Sequence, residues 1–514
     1  MESTARGRKP MGRRIRWLGV VIMVCFALAI VQLVNIQYAK APGLRASPNN
    51  PRSAAKAADN LRGDIYASDG ALLAQSVKST GGTYDYSREY PGGALYSQIV
   101  GFDSTYEGTA GVEFEYNSQL ESHQQPAQNL SQALGLASPP STTDNITLTI
   151  EPKLQAAAQA ALSQITGPNT DAGVVAIDPS TGAILADYST PSFNPAPLEA
   201  PDTTAGTKEQ ELTALSYFKT EDHEGFYAGW PLATFDTFPP GSTFKVVTSS
   251  AVYDLDPSLS NFYFPYAIST TFPNSTAILH NDGGSSCGGT MTTMLPQSCD
   301  PGYAQLGVKL GATDLAKQAA LFGYDSQPPI DLQSNWVATP YFAPASTLMP
   351  PNQAILGYSA IGQEDDTASV LSNALVVAGI ANKGAIMTPH VLQQITNSQG
   401  DVVSTYKPNV WKQAETPSAA AQITALMKLV VTEGTADLVG FSPSLDAAVK
   451  TGTAQVGDNL LNDTDDWMIG FAPASDPTIA VAVVVPLQAY SATGADVAGP
   501  IVKDMLDAAL LPQG

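Results

Sequence analysis

Apolar and polar positions follow three regimes along the chain. WLGVVIMVCFALAIVQLVNIQY, residues 17–38, holds no charge over 22 positions. At about 1.5 Å of rise per residue, a helix of that length crosses a hydrocarbon core of about 30 Å. From Arg62 to about Leu120, short alternating pieces (SDGALLAQSV, GGTYDYSREYPGG, GTAGVEFEY) are broken by turn residues and predict a small β-rich module. Residues 39–61 read as an Ala/Pro/Asn-rich tether and 121–144 as a polar, Pro/Ser-rich linker.

Beyond the linker the pattern is that of a large α/β domain. NITLTI alternates as a strand, and EPKLQAAAQAALSQI is built from helix formers. GVVAID and AILADY flank a Pro-Ser-Thr-Gly turn, a hairpin signal that DWMIGFAP and TIAVAVVV repeat around ASDP. The helix-like GPIVKDMLDAALL follows at 499–511. Hairpins at both ends with helices between them predict one antiparallel sheet flanked by helices, plus a helical cluster from the middle of the segment. The organisation expected is therefore a basic tail over 1–16, an anchor over 17–38, a non-catalytic module and linker over 39–144, and a catalytic domain over 145–514.

Charge refines this picture at two places. Arg6, Arg8, Lys9, Arg13, Arg14 and Arg16 precede the apolar run, which puts the N-terminus in the cytoplasm and everything after residue 38 outside. The rival reading is a cleaved signal peptide ending at Ala39-Lys40-Ala41. Its apolar run would be long for that purpose, and Pro42 would follow the cut awkwardly. Gln32, Asn35 and Gln37 fit either interfacial placement or contact with a neighbouring membrane helix. The net charge of -22 argues against nucleic-acid partners, which demand a positive face.

Cys287 and Cys299 lie in the exported part, where disulfides persist, and the Gly-rich GGSSCGGT around Cys287 eases their closure into a bridge. The four histidines (His123, His223, His280, His390) have no ligand spacing, so no metal and no cofactor are expected. The acidic runs QEDD (363–366) and NDTDD (462–466) lack an EF-hand register and read as solvated loops.

The chemistry concentrates around PPGSTFKVVTSS, residues 239–250. Pro-Pro-Gly leads into the amphipathic TFKVVTSSAVYDL, which places Ser242 at a helix N-terminus, where free N–H groups favour developing negative charge. Lys245 lies one turn on, within reach of the serine oxygen. A serine needs a base to become a nucleophile, and a lysine serves if its pKa is lowered. Taken alone, this spacing is common in ordinary helices. Downstream, Lys450-Thr451-Gly452-Thr453 stands in a β-like run, with glycine leaving room for a ligand backbone. Its lysine and hydroxyls suit a carboxylate. Between them, Ser298-Cys299-Asp300 opens a helix-like segment. A serine nucleophile, a second serine and a K-T-G strand in that order form the constellation of penicillin-recognising enzymes.

With these motifs the sequence resembles class B penicillin-binding proteins, the peptidoglycan transpeptidases, and most of all the actinobacterial penicillin-binding protein A group. RGDIYASDGALLA, REYPGG and GTAGVEFEY, with Arg88, Gly111 and Glu113, look like the family's N-terminal boxes. LTIEPKLQ, AIDPSTGAILA, PPGSTFKVV, IGQEDDTASVLSNALVVAGIANKG and DWMIGFAP follow the transpeptidase domain in order. The resemblance implies that Ser242 is acylated by D-Ala-D-Ala stem peptides and β-lactam antibiotics, with Lys245 as its base. Ser298 would pass the proton to the leaving D-alanine, Lys450 would hold Ser298 and Lys245, and Thr451 and Thr453 would bind the terminal carboxylate. The backbone N–H groups of Ser242 and Thr453 would form the oxyanion hole. Residues 39–150 leave no room for a glycosyltransferase domain, so the family implies a polytopic membrane glycosyltransferase partner of the elongation or division machinery.

Two departures from the family stand out. Asp300 occupies the place of an asparagine, and an ionised carboxylate only accepts hydrogen bonds. Beside Lys245 and Lys450 it is expected to form an ion pair that keeps Lys245 protonated and alters acylation. An expected Asn-Arg pair before PPGS is replaced within WPLATFDTF. Two other functions compete. A serine β-lactamase shares STFK and KTGT but needs neither anchor nor module, and a catalytically impaired scaffold for the glycosyltransferase takes its motive from Asp300.

Overall fold

The computed structural model describes residues 11–35, 40, 60–79, 84–104, 108–124, 131, 141–167, 169–198, 229–350, 353–456, 463–489 and 491–512. Most of the tether and of the linker, together with Gln37, Arg6, Arg8, Lys9 and His223, lie outside these residues. Helix α1 (Met11–Val34) carries the apolar run. Its stretch Arg16–Leu33 has a mean hydropathy of 2.2, stays exposed among the described residues, and is long and apolar enough to cross a membrane.

Two sheets organise the rest. Numbering only their strands and the helices that frame the site, the chain runs β1 (Ile65–Tyr66), β2 (Leu72–Lys78), β3 (Tyr86–Glu89), β4 (Asp144–Leu148), α2 (Pro152–Leu162), β5 (Ala172–Ile177) and β6 (Ile184–Thr190). It continues through α3 (Lys245–Leu255), α4 (Asp300–Leu310), α5 (Val370–Ala381), β7 (Leu392–Asn397), β8 (Val402–Thr405) and α6 (Pro417–Glu433). The last elements are β9 (Ala448–Val456), β10 (Asp463–Ala472), β11 (Ile479–Ala489) and α7 (Ala498–Leu510).

The five-stranded sheet has the order β6-β5-β11-β10-β9 and is antiparallel throughout. Both hairpins read from the sequence lie in it, so strands from both ends of the segment meet at its centre. Its face toward α5 carries Val175, Ile177, Trp467, Ile469, Ala482 and Val484, and all twelve residues of α5 are buried. The opposite face carries Val174, Met468, Val481 and Val483 under α2 and α7. With both faces covered, β11 reads as a continuous apolar run rather than an alternating one.

The six-stranded sheet, β8-β7-β4-β1-β2-β3, joins the N-terminal module to the larger part. β4 pairs in parallel with β1 and antiparallel with β7, so the sheet takes strands from both sides of residue 144. The residues that mark the N-terminal boxes meet here in one buried cluster. Glu113 accepts from Arg62 Nε at 2.6 Å and Arg88 Nε at 2.7 Å, and Arg88 also donates to the Gly63 carbonyl at 2.8 Å. Burial pushes the Glu113 carboxyl up, but Arg88 and Arg62 outweigh it and leave the group below its ordinary range. Gly111, at a φ of 61°, donates its N–H to Gln333, and Tyr116 bonds Asp331 at 2.6 Å.

The acidic runs depart from their solvated reading. Asp366, Asp465 and Asp466 are buried. Each enters the core because a neighbouring element covers it: Asp366 accepts the Ala343 N–H, and Asp465 accepts the Leu487 N–H across the sheet.

Candidate active site

Ser242 sits in a 3-10 turn, Gly241–Phe244, that feeds directly into α3. Three contacts aim this turn. Gly241 takes a φ of 51° and donates to the Gly362 carbonyl at 2.8 Å. Gly362 is equally constrained, since a Cβ there would strike the Gly241 carbonyl. The Trp467 indole donates to the Pro239 carbonyl at 2.9 Å and ties the prolines to β10.

Lys245 is fully buried and reaches four oxygens. Its Nζ lies 2.8 Å from Ser242 Oγ, 2.7 Å from the Ser298 carbonyl, 3.3 Å from Ser298 Oγ and 2.6 Å from Asp300 Oδ1. Burial pushes its pKa below that of an ordinary lysine, and the Asp300 carboxylate pulls against that shift. Lys450, buried on β9, donates to Ser298 Oγ at 2.9 Å and to the Thr451 carbonyl at 2.8 Å. Burial and then the charge of Lys245 hold it well below the usual lysine range. Ser298 thus stands between the two ammonium groups. Its φ of 53° is the left-handed region that a serine rarely adopts, and its carbonyl and hydroxyl are both engaged by the lysines.

Asp300 opens α4 with its carboxylate turned into the site. Besides Lys245 it lies 3.5 Å from Ser242 Oγ, and its Oδ2 accepts from the Asp282 N–H at 3.3 Å. The expected ion pair is present at 2.6 Å. Cys287 and Cys299 are joined by a disulfide, which fastens the loop beside Asp300. Asn281 accepts the Asp300 N–H at 3.0 Å, caps the turn, and donates to Ser285.

The K-T-G-T strand differs in detail from its reading. A side chain at Gly452 would meet the Thr243 methyl at 2.9 Å and the Pro240 carbonyl at 3.1 Å, so the glycine is also required by the chain's own packing. Thr451 is buried, its hydroxyl 2.6 Å from that of Thr435. Thr453 stays half-buried and accepts the Gly494 N–H at 3.1 Å, which leaves its hydroxyl proton available. Gly494 touches the Gly452 and Trp467 carbonyls so closely that a Cβ would not fit. Among the described residues, no group of three or more His, Cys, Asp or Glu is placed to hold a metal ion.

A family model described as the penicillin binding protein transpeptidase domain matches residues 172–507, and one described as the penicillin binding protein A dimerisation domain matches 62–139. The chain belongs to the penicillin-binding protein transpeptidase family. The peptidoglycan D,D-transpeptidase PbpA of Mycolicibacterium smegmatis is 35% identical over 511 residues, covering 97% of this chain and 99% of that protein. Its counterpart in Mycobacterium tuberculosis is 34% identical with the same coverage. The penicillin G acyl-enzyme complex of M. tuberculosis penicillin-binding protein A superposes with a TM-score of 0.75 at 32% identity, over 88% of this chain and all of that one.

Within this penicillin-binding protein, the structure brings Ser242, Lys245, Ser298, Asp300 and Lys450 into one cluster and sets Thr453 at its edge. Thr451 is turned to Thr435. Sequence reasoning missed Asn281, Asp282, Thr435, Asp466 and Gly494. None belongs to a spaced motif; Asn281 and Asp282, in Asn-Asp-Gly-Gly, and Gly494, in Ala-Thr-Gly-Ala, carry only turn signals.

Proposed function

We propose that this protein is a membrane-anchored, serine-type peptidoglycan D,D-transpeptidase, with residues 1–16 cytoplasmic, 17–38 spanning, 39–144 a non-catalytic module and linker, and 145–514 catalytic outside the membrane. The observation that carries the reading is the relay in which Lys245 Nζ touches Ser242 Oγ at 2.8 Å while Ser298 links Lys245 to Lys450. Lys245, made less basic by burial, takes the proton as Ser242 Oγ attacks the penultimate D-alanine carbonyl. The Ser242 and Thr453 N–H groups receive the oxyanion. The intermediate collapses with cleavage of the peptide C–N bond, and the proton passes from Lys245 through Ser298 to the departing D-alanine amine. An acceptor amine then attacks the ester, returns Ser242 with its proton, and leaves the new cross-link. A β-lactam acylates Ser242 by the same first step and remains attached because its ring-opened leaving group does not depart.

A second reading has one observation in its favour. The Lys245–Asp300 ion pair at 2.6 Å stabilises the protonated lysine, which cannot act as a base. Were that pairing to dominate, the protein would serve as a scaffold for a polytopic glycosyltransferase contacted through α1 and the 62–120 module. The full chain in detergent, given polymerised glycan bearing pentapeptide stems, should release D-alanine and form dimeric stems, and Ser242→Ala should do neither. No D-alanine release by the wild type, alongside co-purification of a glycosyltransferase, would favour the scaffold.

A further inference from the structure

Asp466 has no use in the relay and stands where a carboxyl is costly. It lies on β10 directly opposite Thr453, the residue read above as a carboxylate ligand. The residue is fully buried, and among the described residues neither of its carboxyl oxygens has a hydrogen-bond partner. The Thr464 hydroxyl, near enough to lower the carboxyl's pKa somewhat, is turned toward the Gln488 carbonyl at 3.5 Å. Other faces offer no relief. β11 presents Val485. The loop over 491–497 brings Asp496, already satisfied by Thr493 Oγ1 at 2.7 Å. The charges that act most strongly on Asp466 are those of Asp465, Asp282 and Asp496, all acidic. Burial, followed by these charges, pushes its pKa up to about 8.

An isolated buried carboxylate is strongly disfavoured, and a ligand carboxylate brought beside it adds a second like charge. The loop whose Asp496 acts on Asp466 also holds Thr453, through the Gly494 N–H. We propose that Asp466 is a positioning residue for the anionic end of the substrate, acting through Thr453 and the 491–497 loop so that the site receives a carboxylate only while Asp466 is neutral. This rests on the transpeptidase reading of Thr453. As pH rises and Asp466 ionises, the site would repel the D-alanine or β-lactam carboxylate and the loop would be driven from β9. Binding then weakens while the chemical step does not follow the same titration.

The test separates the binding constant from the acylation rate constant for penicillin, with the full chain in detergent between pH 6 and 9. The wild type should bind up to about tenfold more weakly at pH 9 than at pH 7 as Asp466 ionises. Asp466→Asn should remove that fall and keep the near-neutral affinity. Asp465→Asn, which alters the neighbouring buried acid bonded to Leu487, should retain it. If Asp466→Asn does not fold, Asp466→Ala carries the same expectation. A fall that persists in the Asp466 variants, or a wild type whose binding constant ignores pH, overturns the proposal. Absence of any adduct overturns the transpeptidase reading as well, whereas an adduct with pH-independent binding overturns this proposal alone.

Discussion

Ser242 and Lys245 meet because a 3-10 turn and the first turn of α3 carry them three positions apart, so their pairing is local. Their competence depends on two opposed influences on the lysine. Burial lowers its pKa, and Asp300 at 2.6 Å raises it. Removing that carboxylate leaves only the weaker pull of Asp282 against burial. Lys245 must be neutral to accept the serine proton, so acylation rises as pH passes upward through its pKa. Asp300→Asn should therefore move this rise to lower pH and speed acylation at neutral pH, read from stopped-flow acylation by a chromogenic cephalosporin. An unchanged profile would mean that Asp300 does not govern the base. Residues of the relay could be picked from the sequence because each sits in a spaced motif. Asp466 and Asn281 could not, since their roles come from a cross-strand partner and from a loop folded back 19 positions from Asp300.

Among elements, the hairpins and end helices follow from periodicity, and the five-stranded sheet contains them in the expected antiparallel arrangement. The six-stranded sheet was less legible. β1 has two residues, and its parallel partner β4 lies 81 positions away, a pairing no local pattern encodes. The acidic runs misread as solvated share this cause: burial of Asp366 and Asp466 is imposed by elements distant in sequence. The Cys287–Cys299 bridge closes a separation of 12 residues beside the start of α4. A constraint of that length contributes about 3 kcal/mol through the unfolded state. The Cys287→Ser/Cys299→Ser double variant should lose stability of that order in denaturant unfolding. Its acylation should slow as well, because Cys299 adjoins Ser298, whose carbonyl and hydroxyl hold Lys245 against Ser242. Stability lost with acylation intact would mean the loop is held by its hydrogen bonds alone.

At the scale of the whole molecule, several acids are buried with no cation beside them among the described residues. Burial pushes Asp187 and Asp465 up to about 7, and Glu415 and Asp466 up to about 8. Folded-state values above the unfolded ones mean that the native protein binds more protons between about pH 4 and pH 8. Stability present below that window is lost as pH rises through it. Thermal unfolding should give a higher midpoint at pH 5.5 than at pH 8.5, and the reverse order would show that these acids are ionised and satisfied. Glu113 runs the other way, its charge held by Arg88 and Arg62, and its contribution fades only at lower pH. The whole assembly of sheet, turn and relay converges on one oxygen, Ser242 Oγ. Intact-mass spectrometry of the full chain after incubation with penicillin, with Ser242→Ala in parallel, interrogates that oxygen directly. The expected result is one stable adduct of the drug's mass per chain, mapped to the peptide containing Ser242 and absent from the variant. No adduct on the wild type, or an equal adduct on Ser242→Ala, would contradict it.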